Sequence, residues 1–169
     1  WFVLRKLKVS GWQLADAVWT ARTERVGQPV AAQYHYSLLE REVEREILPA
    51  AHRFDVSVLP YFPLANGLLT GKYSQGGAPP AGSRLAGRPR LLADAPWTRI
   101  EKLRAFAEER DISMATLSIG WLTARGAVGS VIAGATTAEQ VEENAEAASW
   151  QPTPEDLAAI DEICPPGRR

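Results

Sequence analysis

The sequence has very little cysteine and histidine. Cys164 is the only cysteine among 169 residues, and two histidines are present. One cysteine cannot form an internal disulfide, and no cysteine–histidine cluster has metal-ligand spacing. These absences argue against a disulfide-stabilised secreted domain and against a metal site. The default setting of such a chain is the reducing interior of the cell, so we expect a cytoplasmic protein without a metal ion.

The chain also lacks an excess of either charge and a long apolar run. Its 19 basic and 20 acidic residues give a formal net charge of −1, which excludes a strong overall field for nucleic acid or an anionic membrane. No window reaches the roughly 18 apolar residues of a membrane-spanning helix. The short apolar start carries its basic residues inside it, unlike a signal peptide. We therefore expect neither a nucleic-acid partner nor membrane insertion.

An initiator methionine is missing as well. The first residue is Trp1, which suggests a fragment, a processed chain or a partial gene. The composition, 46% hydrophobic and 23% charged, is typical of one globular domain. A complete (β/α)8 barrel takes about 250 residues, so a barrel of this length would be incomplete.

Helix and strand patterns alternate along the chain. Ser10 and Gln13 form a capping box ahead of a helix to about Arg22, and Thr153 with Pro154 starts a last helix. Strands are predicted over 29–36, 56–61 and 128–133, and further helices over 39–50, from about 100, from 113 and from 137. The charged residues within 39–50, Arg41 included, read as a solvated face. This alternation predicts an α/β fold with a parallel sheet.

The glycine- and proline-rich residues 62–96 read as one long loop, and loops of that length are usually functional or disordered. Gly82, Ser83 and Arg84, with Arg88 and Arg90, form a basic cluster in it. The cluster either reaches a phosphate or substrate anion or lies in solvent. The residues alone leave both readings open.

Residues 131–144 read as a buried strand, a glycine turn and a capped helix start. Gly134 lets the chain turn and lets a ligand approach the backbone. Thr137 and Gln140 form a capping box, and Thr136 with Glu139 offers a second register. Backbone N–H groups at such a helix start favour a phosphate. An ordinary connection from strand to helix, with no ligand, fits the same residues.

Three segments occur in an order and at a spacing that resembles the aldo/keto reductase family: Gln33 to Arg41, Val58 to Tyr73, and Val131 to Asn144. The second resembles the bacterial-type members most. The resemblance implies the C-terminal part of a (β/α)8 TIM barrel, about strands five or six to eight with their helices. It implies one domain over 1–169 whose N-terminal half is absent. Residues 1–9 are either a non-native junction or a degenerate strand five.

The resemblance implies a nicotinamide dinucleotide site. An amide such as that of Gln33 can both donate and accept hydrogen bonds, and the family uses it for the nicotinamide carboxamide. Tyr61 would stack on the nicotinamide ring. Composition alone favours a core residue at this position, and the matching neighbours reverse that preference. Phe62, Leu64 and Asn66 would line the pyrophosphate, with Thr70 and Lys72 as further phosphate candidates. The adenosine end would contact Gly134, Ala135, Thr136, Gln140, Glu143 and Asn144.

Members of this family use NAD(P)H to reduce aldehydes and ketones to alcohols. The resemblance implies NADP as the cofactor, with NAD as the alternative, since no cationic residue near Gly134 or Gln140 selects a 2′-phosphate. The family's catalytic Asp, Tyr, Lys and His lie on the first four barrel strands, and no residue here matches them. We therefore expect no catalytic residue in this chain, and a small carbonyl substrate only in the full-length protein. The alternative is a non-catalytic nucleotide-binding or interaction module that pairs through open barrel edges, as a homodimer for example.

Overall fold

The computed structural model describes residues 2–4 and 9–167, with side chains from residue 9 onward. It is an α/β structure whose three strands form a parallel sheet in the order β1-β2-β3. The strands are β1 (Phe2–Leu4), β2 (Pro29–His35) and β3 (Ser57–Tyr61). The α-helices are α1 (Gly11–Thr23), α2 (Ile47–Phe54), α3 (Pro89–Ala93), α4 (Trp97–Glu108), α5 (Met114–Thr123), α6 (Ala138–Ala147) and α7 (Pro154–Ile163).

Part of the N-terminal segment pairs with the sheet. Phe2–Leu4 forms β1 and lies parallel to β2, while residues 5–8 and Trp1 lie outside the described residues. The two alternatives for residues 1–9, a non-native junction or a degenerate strand five, stay predictions.

The predicted helix starts at both ends of the chain are confirmed. The N–H of Gln13 donates to Ser10 Oγ at 3.4 Å, and the N–H of Ser10 donates to Gln13 Oε1 at 3.0 Å. Thr153 and Asp156 form the same reciprocal pair at the start of α7. Each pair satisfies two of the backbone N–H groups that a helix start leaves without partners.

The two faces of the sheet differ in burial. Side chains alternate across a strand, and Ala32, Tyr34 and Val58 are buried in the core that the helices share. On the other face, β2 and β3 place Gln33 opposite Leu59 and His35 opposite Tyr61. These four side chains are only partly buried. The uncovered face therefore carries the polar and aromatic residues of the strands.

The predicted strand over 128–133 is wrong as a regular strand. The segment runs beside β3 in isolated parallel bridges, Val58 to Val128 and Tyr61 to Ile132. The two bridges are separated by one more residue on this segment than on β3, and such an extra residue interrupts the ladder. Gly129 allows the approach, because a Cβ there would lie 2.8 Å from Ser57 Cβ.

The predicted helix over 39–50 is wrong in its first half. Ser37 Oγ accepts hydrogen bonds from the N–H groups of Leu39 and Glu40 at 3.3 and 3.2 Å, which holds a turn in place of a helix. A short 3₁₀ helix, Glu42–Glu44, follows, and the α-helix begins only at Ile47.

Arg41, predicted to lie on a solvated face, is buried, with 6% of its surface exposed. Its Nε and Nη2 donate to the two carboxylate oxygens of Glu44 at 2.8 and 2.9 Å. Its Nη1 donates to Asp161 Oδ1 at 2.8 Å and to the carbonyl oxygen of Cys164. The guanidinium also lies over the Trp121 ring, with Cζ 5.0 Å from the ring centroid. Burial opposes the charge, but Glu44 and Asp161 outweigh it and raise the pKa of Arg41.

This network reaches the end of β2 through Tyr36. The Tyr36 hydroxyl donates to Glu44 Oε1 at 2.7 Å. Burial, together with the charge of Glu44, raises the pKa of Tyr36 far above its usual value. Tyr36 follows β2 directly, so the Arg41 network connects the strand that carries Gln33 to helices α5 and α7.

Two further findings concern the described residues as a whole. None of their helices combines the length and the apolar character needed to cross a membrane. Within the same residues, His, Cys, Asp and Glu nowhere gather in a group of three that could hold a metal ion.

We expect Arg41→Met to lower the free energy of unfolding by about 3 kcal/mol, because it leaves the largely buried Glu44 carboxylate without the guanidinium that neutralises its charge. Arg45→Met is the matched control. Arg45 pairs with Glu42 at 2.8 Å, and both side chains are exposed, so its loss should change stability by less than about 0.5 kcal/mol. Urea unfolding followed by circular dichroism measures both, and equal effects would contradict the role given to Arg41.

Candidate functional site

Gln33 and Tyr61 lie near the carboxyl ends of neighbouring strands. Gln33 pairs in register with Leu59, and Tyr61 is two residues further along β3. Both side chains are half-buried on the uncovered face of the sheet. Ligands of open α/β sheets bind outside the carboxyl ends of the strands, so the structure brings these two predicted residues to the position that a ligand would use.

Three aromatic rings form a cluster at this end of the sheet. The His35 imidazole stacks on Tyr61 with ring centroids 5.5 Å apart and planes 13° apart. Phe62 meets both rings edge-on, at 5.7 Å from His35 and 5.4 Å from Tyr61. We call His35, Tyr61 and Phe62 the ring cluster. Phe62 is 41% exposed, so the cluster is open to solvent on one side.

The chain leaves β3 through a run of left-handed backbone. Phe62, Ala65 and Asn66 have φ values of 56°, 47° and 60°, and Gly67 has 99°. Such conformations cost free energy for residues other than glycine and cluster at functional sites. Turn hydrogen bonds hold them here, from Ala65 N–H to Phe62 O at 2.9 Å and from Gly67 N–H to Leu64 O at 2.8 Å. The segment predicted to line a pyrophosphate is therefore strained and fixed.

Cations stand beside this strained segment. Arg84 lies over the Phe62 ring, with Cζ 5.7 Å from its centroid. The Lys72 side chain passes Gly67 so closely that a Cβ on Gly67 would lie 3.6 Å from Lys72 Cε. Thr70, a weaker phosphate candidate, donates its hydroxyl to Gly67 O at 2.7 Å and so serves the turn. Arg84 belongs to the basic cluster whose place the sequence left undecided, and the structure places its guanidinium beside Phe62.

The loop that carries Arg84 is tied to the core. Arg104 of α4 donates to the carbonyl oxygens of Gly71 and Tyr73, both at 2.9 Å. The buried Tyr73 hydroxyl accepts from the N–H of Leu85 at 3.3 Å, and Leu85 is fully buried. Arg84, next to Leu85, is thus held near the ring cluster although its own side chain is exposed.

The predicted adenosine segment emerges at the same end of the sheet. Ile132 bridges to Tyr61, and Gly134 follows two residues later. Gly134, Ala135, Thr136, Gln140 and Glu143 are exposed, and Asn144 is half-buried. A Cβ on Gly134 would meet no atom within 4 Å. The φ of Gly134 is not in the left-handed region, so the turn does not require glycine, contrary to the prediction. The backbone at Gly134 does border open space into which a ligand would fit.

The start of α6 is only partly as predicted. Thr137 Oγ1 accepts from the N–H of Gln140 at 3.3 Å. The reciprocal bond of a capping box is replaced, because Gln140 Oε1 accepts from the N–H and hydroxyl of Thr136 at 2.8 and 3.1 Å. The backbone N–H of Glu139 and the Thr137 hydroxyl favour the charged form of the Glu139 carboxylate and so lower its pKa. This helix start therefore carries a carboxylate of its own at the place predicted to receive a phosphate.

Comparison with known proteins identifies one family that matches most of the chain. A family model described as "Aldo/keto reductase family" matches residues 3–165. A probable voltage-gated potassium channel subunit beta of Oryza sativa subsp. japonica is 36% identical over 161 residues, which cover 90% of this chain and 47% of that protein. The uncharacterized oxidoreductase YrpG of Bacillus subtilis is 33% identical over 156 residues, 92% of this chain and 47% of that protein.

A third relative carries a substrate in its name. The L-glyceraldehyde 3-phosphate reductase of Escherichia coli O157:H7 is 36% identical over 138 residues, which cover 77% of this chain and 40% of that protein. The chain thus spans about half the length of the curated relatives it matches.

Proposed function

Because this chain belongs to the aldo/keto reductase family, we propose that it is the cofactor-binding C-terminal part of a TIM-barrel oxidoreductase. Its strands would be about strands five or six to eight of that barrel, in one domain with a preceding half. The observation that carries the proposal is the ring cluster at the carboxyl ends of β2 and β3, next to a strained turn beside which Lys72 and Arg84 lie.

The residues fit a nicotinamide dinucleotide. Tyr61 offers an aromatic face near the side-chain amide of Gln33, as a planar ring with a carboxamide requires. The turn that contains Phe62, Leu64 and Asn66, left-handed at Phe62 and Asn66, would lie against the pyrophosphate. Arg84 and Lys72 supply the opposite charge that a pyrophosphate needs, and guanidinium groups suit phosphate oxygens well.

The adenosine end would lie at Gly134, Ala135, Thr136, Gln140, Glu143 and Asn144. The open space at Gly134 accommodates a ribose or adenine against the backbone. Glu139 is ionised and sits in the first turn of α6, where it would repel a 2′-phosphate and accept a hydrogen bond from a free 2′-hydroxyl. We therefore propose that the site accepts NADH at least as well as NADPH.

Gln33 and Tyr61 would hold the nicotinamide, which when bound would supply the hydride that reduces an aldehyde or ketone. No residue here matches the family's catalytic Asp, Tyr, Lys and His, so proton donation to the carbonyl oxygen would come from the preceding half. The substrate would be a small carbonyl compound taken up by the full-length protein in the cytoplasm.

Isothermal titration calorimetry of the 169-residue chain tests the binding proposal. We expect NADH and NADPH to bind, NADPH no more tightly, and Arg84→Leu to weaken both by about tenfold through the lost charge at the pyrophosphate. Arg90→Leu removes an exposed arginine of the neighbouring helix α3 and should leave both affinities unchanged. Absence of binding with either dinucleotide would refute the cofactor site.

A turnover assay tests the expectation that this chain carries no catalytic residue. We expect the purified chain to oxidise NADH or NADPH no faster in the presence of a reactive aromatic aldehyde than in its absence, measured by cofactor absorbance. Fusion to the N-terminal half of a family relative should restore oxidation. Clear turnover by the chain alone would show that its own residues complete the chemistry.

The alternative function is a module that pairs through its open edges. Trp12 and Trp19 lie on α1 with 67% and 54% of their surface exposed, and Arg22 lies over the Trp19 ring at 5.5 Å. By contrast, α6 is acidic along its length and exposes Val141. In a barrel closed by two copies, α6 of one copy would lie next to α1 of the other, so acidic side chains of α6 would lie near Arg22. Similarity to proteins named as channel subunits is consistent with an interaction role.

Sedimentation velocity over a range of concentrations tests this pairing. We expect a dimer that the double change Trp12→Ser and Trp19→Ser weakens by at least about tenfold, since exposed tryptophans dominate interfaces. Leu91→Ser alters an exposed apolar residue on α3 and should leave the dimer intact. A monomer at every concentration would exclude self-closure and leave the cofactor proposal in place.

A further inference from the structure

The stacked pair of His35 and Tyr61 bears on how a nicotinamide reaches Tyr61. The two residues are direct partners across β2 and β3, and their rings are nearly parallel at 5.5 Å. Since side chains stand roughly perpendicular to a sheet, the imidazole covers the Tyr61 face that looks toward β2. The other side of Tyr61 looks toward Ile132, its bridge partner on the segment that leads to α6.

The proposed dinucleotide has to cross β3. Its carboxamide end would contact Gln33 on β2. Its adenosine end would contact the start of α6, which follows the segment on the other side of β3 from β2. The nicotinamide ring, joined to the carboxamide, therefore lies on the β2 side of Tyr61. That is the face on which His35 is stacked.

We propose that His35 is a displaceable cover on the stacking face of Tyr61, which turns aside when a nicotinamide ring binds there. The proposal rests on the proposed cofactor site and adds a competition within it. His35 is half-buried, and the ring cluster is open on the Phe62 side, so the imidazole has solvent into which it can turn. Phe62 contacts Tyr61 independently and keeps the platform in place when His35 leaves.

A supporting role for His35 leads to the opposite expectation. An imidazole that backs Tyr61 from behind would stay stacked with the nicotinamide bound, and its removal would weaken binding. If His35 is a cover, its removal strengthens nicotinamide binding, because the bound ring no longer has to displace the imidazole from Tyr61. The sign of the change in affinity therefore distinguishes the two roles.

Histidine NMR of the labelled chain reads the position of the ring directly. The chain has two histidines, and His52, exposed on α2, serves as the internal reference. We expect the His35 ring protons to be shielded by Tyr61 in the free chain and to move downfield on addition of NADH, with His52 unchanged. ADP-ribose, which lacks the nicotinamide, should bind at the adenosine end and leave the His35 signals shielded.

Calorimetry on a matched pair of variants measures how the cover changes the affinity for NADH. We expect His35→Ala to bind NADH about fivefold more tightly than the unchanged chain, the size set by one aromatic stack, and to bind ADP-ribose equally. His52→Ala should change neither affinity. The NMR measurement uses the unchanged chain, so it decides the matter even where His35→Ala does not fold.

Binding of NADH with His35 still shielded, or weaker NADH binding by His35→Ala, would overturn the cover while the cofactor site stands. No binding of NADH or ADP-ribose would remove the site itself and the cover with it.

Discussion

The bidentate ion pair of Arg41 with Glu44 is the contact on which the rest of this structure depends. The same guanidinium holds Asp161 and the Cys164 carbonyl at the end of α7, and Glu44 accepts the hydroxyl of Tyr36 at the exit of β2. A charge this deeply buried is tolerated only when its hydrogen bonds are made. The end of β2 is thereby fixed to the last helix, and with it the strand that presents Gln33 and His35.

Much of the fold could be predicted from local signals. The capping residues at Ser10 and Thr153 act within one helical turn, so a single sequence reveals them. The segment 128–133 has the residues of a strand, but its ladder depends on register against β3, which lies far away in the chain. The burial of Arg41 depends on Asp161 and Trp121, which no spacing within 39–50 could indicate.

In the candidate site, too, residues that local signals indicate could be predicted, and residues positioned by distant contacts could not. Gln33 and Tyr61 could be predicted because each lies near the carboxyl end of a recognisable strand, in a segment that resembles the family. The register of β2 and β3 brings them to one face. Arg84 could not be predicted, since its position follows from buried Leu85 and from Arg104, which holds the loop by its carbonyls. The stack of His35 on Tyr61 arises from pairing across two strands. The charge of the site is also uneven, with cations at the loop after β3 and a carboxylate at the start of α6.

The left-handed turn at Asn66 and Gly67 has a consequence for the chemical ageing of the protein. An asparagine followed by glycine deamidates when the glycine nitrogen attacks the asparagine side chain, and asparagine is accordingly among the thermolabile residues. Here the Gly67 N–H is committed to Leu64 O at 2.8 Å, and the backbone of both residues is fixed. Deamidation of Asn66 therefore has to proceed from molecules in which this turn has opened. The rate at which a stored sample acquires a new carboxylate at position 66 then reports how often the turn opens.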